Sequence, residues 1–216
     1  MANFVLIPGY WLGGWAWKAI TNVLREKGHA VYPVTLTGLG ERVHLGNAKT
    51  DLDTHVADAI PEKLAKLIYV DSAPLPDGTA QIDFNEPEEL AASEESVAKN
   101  GGGWQLQMPS WKELDQGNNL KDLTAEDKKH IEKLATPQPF NASRQKLSLQ
   151  NKARRKLSKI VILTTFTAAQ AKEMIDSGNP LFHEMEDPNL TFVELPTGHY
   201  PMFSRPNELA KILLAL

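Results

Sequence analysis

Near its carboxyl end the chain runs Glu194-Leu195-Pro196-Thr197-Gly198-His199-Tyr200-Pro201-Met202-Phe203-Ser204-Arg205-Pro206, which sets a histidine in a turn rich in proline and glycine. An imidazole can take up and return a proton near neutral pH, so His199 is a candidate general base. The plainer reading is a turn histidine satisfied by local hydrogen bonds. Its surroundings favour chemistry. Leu190 to Leu195 reads as a buried strand and Asn207 to Leu214 as an amphipathic helix, so His199 falls just past a strand's carboxyl end. In open α/β sheets that edge displays catalytic side chains and binds ligands. A second stretch with chemical promise is the loop Tyr10 to Gly14, which follows the apolar run Phe4-Val5-Leu6-Ile7 and its closing Pro8-Gly9. It is short and bears glycine, so its backbone N–H groups can face an oxyanion, although it also reads as a simple connector.

The elements that must position these residues follow from composition and pattern. With 216 residues, 42% of them hydrophobic, the chain is expected to fold as one domain, 1–216, burying roughly 70% of its extended surface. The all-apolar run Phe4–Ile7 suits a strand covered on both faces, hence a parallel sheet. Trp15, Ala19, Val23 and Leu24 suit a helix that ends at Gly28, and Ala30 to Leu36 returns as a second strand to give a βαβ unit. A net charge of -4 gives no general attraction to nucleic acid or to an anionic membrane. The absence of cysteine excludes disulfides, thiolate metal sites and a cysteine nucleophile. No basic leader precedes the first strand and no apolar run reaches membrane-spanning length, so a cytoplasmic protein is expected.

Other ligand motifs are missing. Pro8 to Gly14 lacks the glycine spacing that cradles a pyrophosphate, no acidic residue ends the second strand at Leu36, and there is no P-loop. His183-Glu184 starts a metalloprotease-like pair whose second histidine never arrives, so neither a metal nor a cofactor is expected.

Three stretches carry a family resemblance: Phe4 to Trp17; Thr35-Leu36-Thr37-Gly38-Leu39-Gly40-Glu41-Arg42 with Asp51-Leu52-Asp53-Thr54-His55; and Ile68 to Gly78, together with the segment around His199. They resemble the α/β-hydrolase superfamily, and within it the bacterial esterase-like proteins related to plant methylesterases and hydroxynitrile lyases. The resemblance runs nearly end to end. It implies a backbone oxyanion donor at Tyr10-Trp11 and a general base at His199. Pro8 stands where many relatives carry histidine. The acid commonly follows the strand Lys159–Leu163, but Thr164-Thr165-Phe166-Thr167 offers no carboxylate. Asp71 is the first choice instead, with a structural aspartate bonding turn amides as its alternative.

Such an enzyme needs a serine on a sharp strand-to-helix turn, written G-x-S-x-G, and the chain contains no such motif. Thr54 to Ile60 resembles the start of the helix that leads to the nucleophile strand, and Pro61 to Leu67 resembles the end of the helix that follows it. One strand–elbow–helix unit of roughly 30 residues is thus expected to be missing between Ile60 and Pro61. The sheet could close by pairing Phe4–Ile7 with Leu67–Val70, and an opened core would favour homo-oligomers. Ser72 lacks the glycines of an elbow and reads as a turn hydroxyl, while Ser204 reads as a brace for the last helix.

The expected fold is therefore α/β: a mostly parallel sheet flanked by helices, an α/β-hydrolase fold shortened by one central βα unit. Residues 77–158 form its helical cap. In the cap, a helix opened by Asn85-Glu86-Pro87 and stopped at Asn100-Gly101-Gly102-Gly103 is expected, and another begun by Thr124 with Asp127 and ending before Pro137. Trp104, Met108 and Trp111 would line the underside of the cap as an apolar acyl or aromatic pocket, or form its small core. The basic run Lys152, Arg154, Arg155, Lys156 and Lys159 reads as a solvated edge. Two functions compete: a carboxylic-ester hydrolase deprived of its nucleophile, and a non-catalytic member or deletion variant that binds a small ester or apolar ligand. Loss of the nucleophile costs a triad enzyme about a million-fold in kcat.

Overall fold

A computed structural model of the protein describes residues 1–51 and 60–216. In chain order the principal elements are β1 (Asn3–Leu6), α1 (Lys18–Glu26), β2 (Ala30–Pro33), β3 (Lys66–Val70), α2 (Pro87–Asn100), β4 (Gln105–Leu106), α3 (Ala125–Leu134), β5 (Gln138–Pro139), β6 (Ser158–Leu163), α4 (Ala168–Asp176), β7 (Leu190–Glu194) and α5 (Pro206–Ala215). They fall into two compact units, one of residues 1–50, 93–140 and 197–216, the other of residues 51–92 and 141–196.

In the first unit β1 and β2 pair in parallel, Asn3 with Ala30 through Leu6 with Pro33, and the crossover between them is a 3-10 turn at Gly14–Trp17 followed by α1. The helix stops where Gly28 takes φ +83°, a left-handed conformation that costs glycine nothing, while Gly28 and His29 donate to the carbonyls of Arg25 and Leu24. α1 packs against α5, burying Ile20 and Leu24 on one side and Leu209, Ala210 and Leu213 on the other. The Thr124 and Asp127 side chains close a reciprocal capping box at the start of α3. A two-residue antiparallel ladder joins β4 to β5.

The second unit is built on a parallel sheet in the order β3-β6-β7. Its middle strand is the apolar heart: Ile160, Val161, Ile162 and Leu163 are all at most 4% exposed. Val161 and Leu163 pack with Ala171 and Met185, flanked by Tyr69, Phe166, Phe182 and Phe192. Each such side chain, removed from water, contributes about 1.5–3 kcal/mol. Thr167 and Gln170 form the capping box that starts α4.

Three expectations fail, the last of them in part. β1 hydrogen-bonds to β2 and β3 to β6, in separate sheets, so the pairing of Phe4–Ile7 with Leu67–Val70 is not made. Nor is β1 covered on both faces: Val5 is 59% exposed and its cross-strand partner Tyr32 55%. In a parallel pair of this length one pleat face can pack under the connecting helix while the other stays open, and these two residues share the open one. The basic run is a solvated edge at Lys152, Arg155 and Lys156 but not at its other two positions. Arg154 is buried and donates twice to the Glu184 carboxylate, at 3.0 and 3.2 Å. Lys159, 2% exposed in the central strand, meets Asp187 at 2.5 Å. The partners lie 30 and 28 residues away, so nothing local in the sequence marks these cations as paired.

Candidate functional site

His199 sits on a turn pressed against another stretch of backbone. Gly198 N–H donates to the Lys121 carbonyl at 3.1 Å and His199 N–H to the Asn119 carbonyl at 2.8 Å. A β-carbon on Gly198 would lie 2.5 Å from that Asn119 oxygen, so glycine is required by close approach. The buried Thr197 hydroxyl lies 3.1 Å from Asp122 Oδ2 and 2.9 Å from Ser204 Oγ. Ser204 Oγ also donates to the Tyr200 carbonyl, so it braces the short turn Pro201–Ser204 rather than the last helix, which begins at Pro206. His199 is exposed, and its ring meets that of Tyr200 edge-on at 5.5 Å between centroids. Burial raises the pKa of the Tyr200 phenol, keeping it neutral.

From Tyr200 the contacts lead into a recess. Its ring meets Trp111 at 6.3 Å, and Trp111 lines a recess of about 310 Å³ together with Met108, Pro109, Glu132, Thr136 and Pro137. Trp111 Nε1 donates to Glu132 Oε1 at 2.6 Å and Lys128 stands over its ring. Trp104 is not among the lining residues; its ring edge lies against Gly46, and its carbonyl accepts from Phe140 N–H.

The loop after β1 reaches the same neighbourhood. Trp11 takes φ +62°, an outlier for a bulky residue, and is held there from two sides. Its indole N–H donates to the Leu106 carbonyl at 3.2 Å, and its own carbonyl accepts from Thr136 N–H at 3.0 Å. Tyr10 packs edge-on against it. The base candidate, the oxyanion-loop candidate and all three cap residues belong to one unit, and Tyr200, Trp111 and Thr136 tie the first two to the recess that Met108 also lines.

Asp71 belongs to the other unit, immediately after β3. It takes φ +46° and is 7% exposed. Its Oδ1 accepts from Thr164 N–H at 2.9 Å and Thr165 N–H at 3.0 Å, and the Thr165 hydroxyl lies within 3.1 Å of both carboxylate oxygens. The threonines found where a carboxylate was sought thus supply the donors that hold Asp71 in place. Among the described residues no group of three or more His, Asp or Glu could hold a metal ion, and no helix is long and apolar enough to cross a membrane.

No family model matches the sequence. The chain is 28% identical to a carbendazim hydrolyzing esterase of Nocardioides sp. (strain SG-4G), across the whole of both proteins. That match runs over 254 residues whereas the chain has 216, so at least 38 of its positions have no residue here. Among solved structures it is similar to an extracellular α/β-hydrolase from a Paenibacillus species, described as sharing structural and functional homology with tobacco salicylic acid binding protein 2, at TM-score 0.75 and 20% identity. This covers 100% of the chain and 98% of that protein. The chain has the α/β-hydrolase fold. Tomato methylketone synthase I, in complex with 2-tridecanone, is similar at TM-score 0.69 and 20% identity over 99% of the chain and 96% of its own length.

The loop after the first strand and the histidine turn each reach this recess through a residue that lines it, Thr136 for the loop and Trp111, by way of Tyr200, for the turn. Thr54 and His55, which the resemblance also used, lie outside the described residues. The segment 119–122 escaped notice: Asn119 and Lys121 act through backbone carbonyls, which carry no residue signature, and Asp122 sits in a polar stretch without period.

Proposed function

We propose that the protein is a hydrolase scaffold of the carboxylic-ester type that is strongly impaired as a serine esterase because it has no nucleophile. One observation carries this reading: no G-x-S-x-G occurs in a chain that otherwise keeps the motifs on either side of it. The 38 or more unmatched positions against the esterase relative support it, being close to the roughly 30 residues of a strand–elbow–helix unit. In this reading His199 is the general base, Asp71 its acid, and a backbone N–H at Tyr10-Trp11 one oxyanion donor. The lost unit would also have carried a second donor, typically worth about 3 kcal/mol of transition-state stabilisation. The alternative, a non-catalytic binder of a small apolar molecule, is favoured by the recess beside Met108 and Trp111, whose 310 Å³ suits a small ligand.

The test is hydrolysis of a short activated aryl ester by the wild-type chain, by His199→Ala, and by a version with a complete elbow unit inserted after Ile60. The expected result is a wild-type rate no higher than that of His199→Ala, with activity gained on insertion. Wild-type turnover abolished by His199→Ala would overturn the proposal. Stabilisation of the unaltered chain by a non-hydrolysed apolar ester supports the binding alternative.

A further inference from the structure

The turn that carries His199 is fastened by residues outside the hydrolase motifs. Three successive residues, Thr197, Gly198 and His199, bond to the segment Asn119–Asp122, which lies within the cap sequence. The end of that segment is itself tied back: Arg205, six residues beyond the histidine, donates from Nε at 3.1 Å and Nη2 at 2.9 Å to Asp122 Oδ2. The same oxygen is the one the buried Thr197 hydroxyl reaches. One carboxylate oxygen therefore joins both ends of the histidine turn to one point of the cap segment. Asp122 holds φ +64°, a conformation aspartate tolerates but does not prefer, so it is set in place by these partners. The Arg205 guanidinium holds its carboxyl below the ordinary carboxylate range, so the latch is charged at neutral pH.

We infer that Asp122 is a positioning residue for His199: paired with Arg205 and bonded to Thr197, it latches the base-bearing turn to the cap segment. The latch sets where the imidazole stands relative to Tyr200, and through Tyr200 relative to the recess at Trp111. It predicts that movement of segment 119–122 moves the base. The inference rests on the reading of His199 as the base, but its test needs no turnover.

The test is amide hydrogen exchange of the full chain, with the His199 ring resonances recorded beside it. In Asp122→Ala, exchange of the Gly198 and His199 amides is expected to rise about tenfold, the worth of one charge-assisted hydrogen bond, while Ile162 in β6 keeps its rate. Arg205→Ala is expected to give a smaller rise, Arg205→Lys to recover part of it, and the double alanine variant to be no faster than Asp122→Ala alone. The His199 ring signals should shift in these variants while those of His183 do not. If Asp122→Ala does not fold, Asp122→Asn, nearly the same shape, carries the same comparison. Unchanged exchange at Gly198 and His199, acceleration spread evenly over the chain, or an unmoved His199 ring signal would overturn the latch. Ester hydrolysis by the wild type would instead end the proposal that the chain lacks esterase activity and leave the latch standing.

Discussion

Replacing Gly198 by alanine tests whether the base-bearing turn is built on close backbone approach. The added β-carbon would lie 2.5 Å from the Asn119 oxygen, 2.7 Å from the Lys121 oxygen and 2.8 Å from the Lys121 nitrogen. All three are backbone atoms, so no flexible side chain can swing aside, and the two segments must part by most of an ångström. Overpacking of that kind costs about 1–3 kcal/mol. The separation also breaks or stretches the bonds from Gly198 to Lys121 and from His199 to Asn119, about 0.5–1.5 kcal/mol each. The total is about 2–6 kcal/mol. Gly198 does not hold a left-handed φ, so the effect is steric rather than conformational.

Urea unfolding followed by tryptophan fluorescence is the suitable assay, because Trp11, Trp15, Trp17, Trp104 and Trp111 all lie in the unit that contains Gly198. Gly9→Ala is the control: nothing lies within 4 Å of its added β-carbon, and its stability should stay within about 0.5 kcal/mol of wild type. Equal midpoints for the two variants would refute the claim that the turn is held by close approach.

The second unit offers two further tests. Tyr69 is pushed up to about 12, chiefly by burial, with Glu184 raising it further and Arg154 opposing. Its folded pKa exceeds the unfolded value, so its contribution is complete below about pH 10 and is lost as pH rises towards 12; about 3 kcal/mol should disappear over that span in wild type but not in Tyr69→Phe, as read by circular dichroism in urea. Lys159→Met leaves the Asp187 carboxylate without its buried ammonium and should cost about 3–5 kcal/mol, whereas Lys159→Met combined with Asp187→Leu should recover most of it; equal loss in both would show that the pair is not the source.

Local signals in the sequence proved reliable where the chain satisfies itself locally. Thr124 with Asp127 reads as a helix start because the two side chains bond within one turn, and the box forms. The apolar run at 160–163 reads as part of a strand, and it lies buried in the central strand of a three-stranded sheet. The run at 4–7 has the same character and yet is half open, because covering a strand depends on what lies beside it, which four apolar letters do not record. Lys159 and Arg154 were invisible as buried cations for a similar reason: their carboxylates come from residues 187 and 184, brought in by the crossover after β6. At the site, Met108 and Trp111 border one recess and Trp104 lies against Gly46; with spacing alone, a cap's lining and its small core look alike.

Backbone strain adds a point that periodicity could not supply. Among the described residues only Trp11, Asp71 and Asp122 hold a positive φ without being glycine. Such conformations cost on the order of 1–3 kcal/mol each and persist only where surrounding contacts fix them. Each of the three is fixed by partners far away in sequence: Trp11 by Leu106 and Thr136, Asp71 by Thr164 and Thr165, Asp122 by Thr197 and Arg205. A chain selected for packing alone would relieve that cost with glycine or asparagine, residues that enter this region at little expense. Two of the three were singled out by motif as the oxyanion-loop and acid candidates, and the third latches the turn that bears the base candidate. In the unit that bears His199, the strain at Trp11 and Asp122 fixes the loop after β1 and the turn that carries the imidazole, the two parts whose geometry a hydrolase scaffold must hold.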